Sequence, residues 1–241
     1  MVKGTMFQPL DKKRYFEQIA ELIRAKIFRE NLQEGFRLPS EQQLAADLNV
    51  SRSVVRESLR ILDVMGYVKI KKGPQGGIFV SALYHKPMSD SLRSLAVNGQ
   101  VTVDHLFDAR LQIEPLIAME TTKHATENEL KKLFDLMDDA ALHMDDAAYL
   151  KQKNIDFHFL LAEVSGNPVF TMIMKALIEI LLEIAYDFLD PVFEKELFYV
   201  HKNLLNAISD RKYDVVEKLV NEDILFVKSN LKKSKEENKR K

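Results

Sequence analysis

GFRLPSEQQLAADLNVSRSVVRESLRILDVMGYVKIKKGPQGGIFV, residues 35–80, is the stretch that decides the N-terminal fold. Before it, Phe16, Ile19, Leu22, Ile23 and Ile27 recur at helical spacing between Tyr15 and Arg29, and Gly35 ends that pattern. Ser40, after Pro39, is the N-cap of a short helix over residues 41–48, which stops at Asn49. Ser51 caps a third helix that buries Val55, Leu59 and Leu62, exposes Arg52, Ser53, Arg56 and Arg60, and ends at Gly66. Residues 67–71 and 78–81 flank the turn Gly73-Pro74-Gln75-Gly76-Gly77 and read as a β-hairpin.

This order of elements is that of a winged helix-turn-helix, three helices plus a β-hairpin. In that geometry the capped third helix enters the DNA major groove N-terminus first, which brings Ser51, Arg52, Ser53 and Arg56 to the bases. An arginine fork matches guanine O6 and N7 together, and a serine hydroxyl suits either base or phosphate. Arg52 and Arg56 lie four apart, on one helix face. Lys71, Lys72 and Gly76 in the hairpin turn suit phosphate or minor-groove contact.

Charge is divided in a way that supports this. Residues 1–85 carry 14 Lys/Arg against 9 Asp/Glu, residues 86–227 carry 14 against 25, and residues 228–241 return to a net +5, although the whole chain is only −1. A basic head suits a polyanion and an acidic body repels one. The 241 residues allow one large domain or two modest ones. With no cysteine, disulfides, thiolate metal sites and cysteine nucleophiles are excluded, and any metal must be held by His, Asp, Glu or Asn. No run of about 18 apolar residues and no signal-peptide pattern is present, so a cytoplasmic protein without membrane contact is expected.

After a connecting stretch at 82–88, strand signals give way to helical spacing over residues 89–97, 103–124, 127–142, 147–164, 168–188, 194–208 and 212–232. Successive helices with short joints predict an antiparallel bundle and a mainly α protein. The expected organisation is a DNA-binding domain at 1–81, a linker at 82–88, a helical effector-binding and dimerisation domain at 89–233, and a charged tail at 234–241.

Residues 35–80 resemble the DNA-binding domain of the GntR family of bacterial regulators, through the pattern set by Arg37, Leu38-Pro39-Ser40-Glu41, Ser51-Arg52, Val55-Arg56-Glu57 and Gly66. The resemblance implies that Arg52 and Arg56 contact an operator and that Arg37 lies near its backbone. FadR-type members often carry arginine at the position of Gln42, so this chain implies a different operator preference there, glutamine pairing better with adenine. One recognition helix reads only a few base pairs, so a homodimer on a palindromic double-stranded operator is expected.

The remainder is similar to the FCD ligand-binding domain of the FadR subgroup, through LFDARLQIEP (106–115), NIDFHFLLAEVSGNP (154–168) and HKNLLNAI (201–208). Many FCD domains hold a divalent metal through one Asp and three His. The corresponding residues are Asn154, His158, His201 and Asp223, an altered set that still suits Zn, Ni or Mn. Without an ion, His158 and His201 would bond a ligand directly. Arg110 is the candidate partner for an effector carboxylate, with an internal ion pair to Glu114 as the competing reading. His85, His105, His124 and His143 are read as surface or packing residues, and Asn167 as a helix cap. The resemblance implies a transcriptional regulator, a repressor in the leading reading, controlled by a small organic acid. A metal-independent sensor of a larger ligand such as an acyl-CoA stays open as an alternative. A metal-dependent hydrolase stays open as another, although no nucleophile motif, phosphate loop or HExxH supports an enzyme.

Overall fold

The computed structural model describes residues 15–82, 84–185 and 189–240, with 185 and 234–240 as backbone only. The chain divides into two compact units, Met1–Pro87 and Met88–Lys241. In the first, β1 (Arg37–Leu38) lies between α1 (Tyr15–Arg29) and α2 (Glu41–Asp47), and α3 (Arg52–Val64) is followed by β2 (Val68–Lys71) and β3 (Gly77–Val80).

Local chemistry sets these boundaries. The Ser40 hydroxyl accepts from the Gln43 N–H while the Gln43 side chain reaches back to Ser40, a closed capping box for α2. The Ser51 hydroxyl accepts from Val54 N–H to start α3. Asn49 and Gly66, at φ of 51° and 76°, make the left-handed steps that end α2 and α3. Ile19, Ile23 and Ile27 then meet Val55, Leu59 and Leu62, and Val68, Ile78 and Val80 close the core from the sheet. Each such burial stabilises by about 1.5–3 kcal/mol.

Two details depart from expectation. The wing has three strands in the order β1-β3-β2, because Arg37 and Leu38 pair with Phe79 and Ile78. Leu22, assigned to the apolar stripe of α1, is 54% exposed.

The second unit contains α4 (Lys86–Val97), α5 (Val103–His124), α6 (Glu127–Ala141), α7 (Ala147–Val164), α8 (Pro168–Ala185), α9 (Pro191–Ser209) and α10 (Tyr213–Arg240). The expected linker at 82–88 is therefore shorter. Pro87, read as part of a connection, sits in the first turn of α4, where a helix needs no proline N–H. Helix α9 starts three residues before its expected position because the Asp190 carboxylate accepts from Val192 and Phe193 N–H. The backbone of the charged tail continues α10 to Arg240. Residues 186–188 of an expected helix, residues 1–14 of the expected DNA-binding domain, and the tail's side chains and Lys241 lie outside the described residues.

Phe107, Ile117, Leu133, Leu150, Phe157, Leu204, Leu205, Ile208 and Ile224 fill the centre of this unit. Pro115 stands inside α5 and deprives the Leu111 carbonyl of its helical donor. The C-terminal end of α5 is tied down from outside: Arg211, itself at φ 55°, donates to the Thr122 and Ala125 carbonyls. Among the described residues no helix is long and apolar enough to cross a membrane.

Candidate nucleic-acid interface and ligand pocket

Capping by Ser51 leaves the first turn of α3 exposed, with Arg52, Ser53 and Arg56 all on the surface and Val55, Ser58 and Leu59 inside. The Ser51 and Ser53 hydroxyls lie 2.8 Å apart. Glu41, at the start of α2, accepts from Arg56 Nη2 at 2.9 Å and lies 4.0 Å from Arg52 Nη2. The hydrogen bond from Arg56 holds the Glu41 carboxyl below its ordinary pKa, and the charges of Arg52 and Arg60 add to this. Gln42 is exposed beside Glu41. Sequence reasoning named Gln42 and both arginines but missed Glu41 as their partner.

Arg37 reaches the wing directly, donating from Nη2 to the Gly76 carbonyl at 2.9 Å. Its guanidinium also stands 5.9 Å from the Phe79 ring centre, and Lys71 Nζ lies 5.0 Å from the same ring. Lys71 and Lys72 are exposed. The turn needs glycine at 76, where an added Cβ would lie 2.5 Å from the Lys71 carbonyl oxygen.

In the helical unit, α7 presents Lys151, Asn154, Ile155 and His158 on one face, spaced as successive turns require. His201 comes from α9 and Asp223 from α10, and all three groups of the cluster His158, His201 and Asp223 are buried. One ligand atom from each lies within 4.8 Å of the others. His158 Nε2 is 3.6 Å from Asp223 Oδ2, and His201 Nε2 is 3.5 Å from Asp223 Oδ1. These are long for hydrogen bonds. They are, however, near the roughly 3.4 Å that separates two ligands placed about 2.1 Å from one tetrahedral ion.

Two further observations fit an ion. Both ring nitrogens of His201 and both carboxylate oxygens of Asp223 are buried without a hydrogen-bond partner among the described residues, a costly state that an ion would relieve. His158 Nδ1 lies 3.2 Å from Glu114 Oε2, which places the ring proton on Nδ1 and leaves the Nε2 lone pair for a metal. Burial pushes the His201 pKa down, so that ring is neutral near pH 7. Burial pushes Asp223 up, but the neighbouring His201, His158 and Arg110 outweigh it and keep the carboxylate ionised. Both groups are thus in the state that binds metal.

Asn154 lines the same cavity. Its Nδ2 donates to the carbonyl of Glu194 at 3.1 Å and to Glu194 Oε2 at 2.9 Å, which leaves Oδ1 as the ligand atom it can offer. Arg110 also lines the cavity but forms a buried ion pair with Glu114 one turn along α5, each side chain 3% exposed. Burial pushes the Glu114 pKa up, and Arg110 and His158 outweigh it to hold the carboxyl below the usual range. Neither Lys151 nor Glu194 was identified from the sequence. The signal for Lys151 was available, since it stands three residues before Asn154 and seven before His158 on an amphipathic helix. The histidines set aside have other roles: His105 closes the capping box of α5 with Thr102, and His143 packs on Tyr149. Asn167 Oδ1 accepts from Val169 N–H at the start of α8.

Comparison with known proteins agrees with both halves. Residues 16–80 match the model for bacterial regulatory proteins of the gntR family, and residues 105–225 match the FCD domain. The chain is 30% identical over 220 residues to the HTH-type transcriptional repressor NanR of Klebsiella aerogenes, covering 85% of this chain and 80% of that protein. It is 30% identical over 183 residues to the protein of the same name from Salmonella newport, covering 73% and 68% of the two chains. The solved structure of Streptococcus agalactiae GntR has a similar fold, with a TM-score of 0.60 and 24% identity over 89% of this chain and 99% of that one.

Proposed function

The chain belongs to the gntR family of bacterial regulatory proteins and carries an FCD domain after its winged helix-turn-helix, and from this premise we propose that it is a repressor whose operator binding is controlled by a small organic acid. Relatives named as transcriptional repressors support the sign of regulation. The proposed DNA-reading groups are Arg52, Arg56 and Ser53 at the start of α3, with Gln42 on α2. Ser51, Arg37, Lys71, Lys72 and the Gly76 turn position the backbone of the duplex. A homodimer on a palindromic operator supplies the second half-site. Residues 1–81 serve DNA binding, a short connection follows, and residues 89–233 sense the effector and dimerise. A cytoplasmic location without membrane contact follows from this role.

The observation that carries the sensing half is the buried set of orphaned atoms on His201 and Asp223. His158, His201 and Asp223, with Asn154 Oδ1, are the residues that would hold Zn, Ni or Mn. When bound, such an ion supplies positive charge that attracts a carboxylate. His158 and His201 also face the effector, and Glu114 fixes the orientation of His158. Because Arg110 is committed to Glu114, its role in effector binding is to set the charge of the wall. The adjoining cavity sets His158, His201, Asn154, Arg110 and Lys151 opposite aliphatic side chains, a lining that suits a small acid. The cluster is read as a sensor in keeping with the regulatory family, with no catalytic step assigned to it.

The test is metal analysis of the purified full chain together with selection of bound sequences from a randomised duplex pool. About one ion per chain and an inverted-repeat consensus support the reading. Absence of an ion after incubation with Zn, Ni and Mn, or a non-repeating consensus, contradicts the metal and dimer parts respectively.

A further inference from the structure

Phe79 stands on a face of the wing that the core does not use. Neighbouring residues along a strand point to opposite faces, and Ile78 and Val80 are the ones buried with Leu38 and Val68. Register sets Arg37 and Lys69 directly across from Phe79 on the two outer strands, and Lys71 across from Gly77. The outer face of the sheet is therefore made by Arg37, Lys69, Lys71, Gly77 and Phe79, three exposed cations around one half-buried ring. No acidic residue of the three strands belongs to this face.

An aromatic ring holds a cation differently from a carboxylate. The attraction comes from the negative face of the π system, so the cation keeps its charge and its N–H donors stay available. The Arg37 guanidinium and Lys71 Nζ, at 5.9 and 5.0 Å from the ring centre of Phe79, are both within reach of this interaction. Arg37 gives a donor on Nη2 to the Gly76 carbonyl, and its Nε passes so close to Gly77 that a Cβ there would lie 2.9 Å away. The guanidinium is thus confined between the backbone of the turn and the ring. Ordering a long cationic side chain only on arrival at a phosphate costs about 2- to 10-fold in affinity.

We propose that Phe79 is a positioning residue for duplex binding: its ring holds Arg37 and Lys71 in place, so that the outer face of the wing meets the sugar–phosphate backbone with its cations already ordered. The occupant follows from charge, because three cations with no acid among them suit a run of phosphates. Lys69 enlarges the same positive face. This inference rests on the reading of the wing as a backbone contact, and it adds the residue through which that contact acts.

The test is a double-mutant cycle on the full chain, with fluorescence anisotropy on a random-sequence duplex at several salt concentrations. Phe79→Leu keeps an apolar side chain but removes the ring, and is expected to weaken binding about 3- to 10-fold at fixed salt. Its salt slope stays native, because the same cations still neutralise phosphates. Phe79→Tyr, which keeps the ring, recovers the loss. Arg37→Gln combined with Lys71→Gln lowers the salt slope by about 2, and adding Phe79→Leu to that pair costs nothing further. Native affinity in Phe79→Leu, or an equal loss in the background without the two cations, overturns the positioning role. A salt slope that falls in Phe79→Leu also overturns it, since the ring would then support the fold of the wing. Native affinity and slope in the Arg37→Gln, Lys71→Gln protein overturn the backbone reading of the wing together with the proposal.

Discussion

Glu41 and Arg56, fifteen residues apart on α2 and α3, form a paired contact in which Arg56 Nη2 donates to Glu41 Oε2 at 2.9 Å. The pair joins the two helices of the DNA-reading motif through the side chain assigned to a base. The contact directs the Arg56 guanidinium toward the start of α2. If Arg56 reads DNA as proposed, contact with a guanine edge exchanges the Glu41 carboxylate for the neutral O6 and N7 acceptors of the base, and a base without that pair leaves Arg56 on Glu41.

The first consequence is a titration. The folded-state pKa of Glu41 lies below its unfolded value, so the pair stabilises the fold above the usual glutamate range, and that contribution is lost as pH falls through the folded pKa. The pair is partly exposed, so solvent screening keeps its contribution small. In a ¹³C-detected NMR titration, the Glu41 carboxyl is expected to titrate below 4.5 in the native chain and to move upward in Arg56→Ala. An unchanged midpoint in the variant would remove Arg56 as the cause.

The second concerns specificity. Arg56→Ala is expected to weaken operator binding by about 1–3 kcal/mol and to relax the preference at one base position. Glu41→Gln is expected to act differently, raising affinity for random duplex because a negative charge near DNA is gone and Arg56 is released. Fluorescence anisotropy on operator and random duplexes separates the two. A loss of random-duplex affinity in Glu41→Gln would refute the competitive role.

The third concerns the wing. Gly76→Ala forces its new methyl against the Lys71 carbonyl and displaces the carbonyl that accepts from Arg37. Operator binding is expected to weaken several-fold with a smaller salt slope, reflecting lost phosphate contacts, while the melting temperature of the chain shifts little. A fully folded variant with native affinity and salt slope would show that the turn does not touch DNA.

The fourth concerns the buried ion pair. Glu114→Gln leaves Arg110 buried without its carboxylate, which costs about 3–5 kcal/mol of stability. It also removes the group that orients His158, so metal affinity is expected to fall about 10- to 100-fold. Thermal unfolding and competition with a chromogenic chelator give the two readings independently. Metal affinity equal to that of the native chain would remove Glu114 from the site.

The fold was legible wherever structure is decided within a few residues. Ser40 with Gln43, Ser51 with Val54, and the glycine after α3 are local signals, and the helices they bound follow the apolar spacing. Strand β1 was not legible, because its pairing of Arg37 with Phe79 spans a distance that no short window records. The start of α4 was misread because a proline is compatible with either a linker or a first helical turn. In the site, His158, His201 and Asp223 were reached through resemblance to a family pattern, and Glu114 through its position one turn from Arg110. Glu194 carried no such signal. It reaches Asn154 from another helix, forty residues along the chain, and only packing brings the two together.

The most direct test couples the two halves in one measurement. Operator affinity of the zinc-loaded full chain is determined by fluorescence anisotropy with and without a saturating small organic acid shown by calorimetry to bind, for the native protein and for His201→Ala. The expected result is a loss of about 10-fold or more on adding the acid to the native chain, equivalent to about 1.4 kcal/mol of coupling, and no response in the variant. Equal operator affinity with and without an acid shown to be bound would contradict control of the arginines on α3 by the pocket in the helical unit.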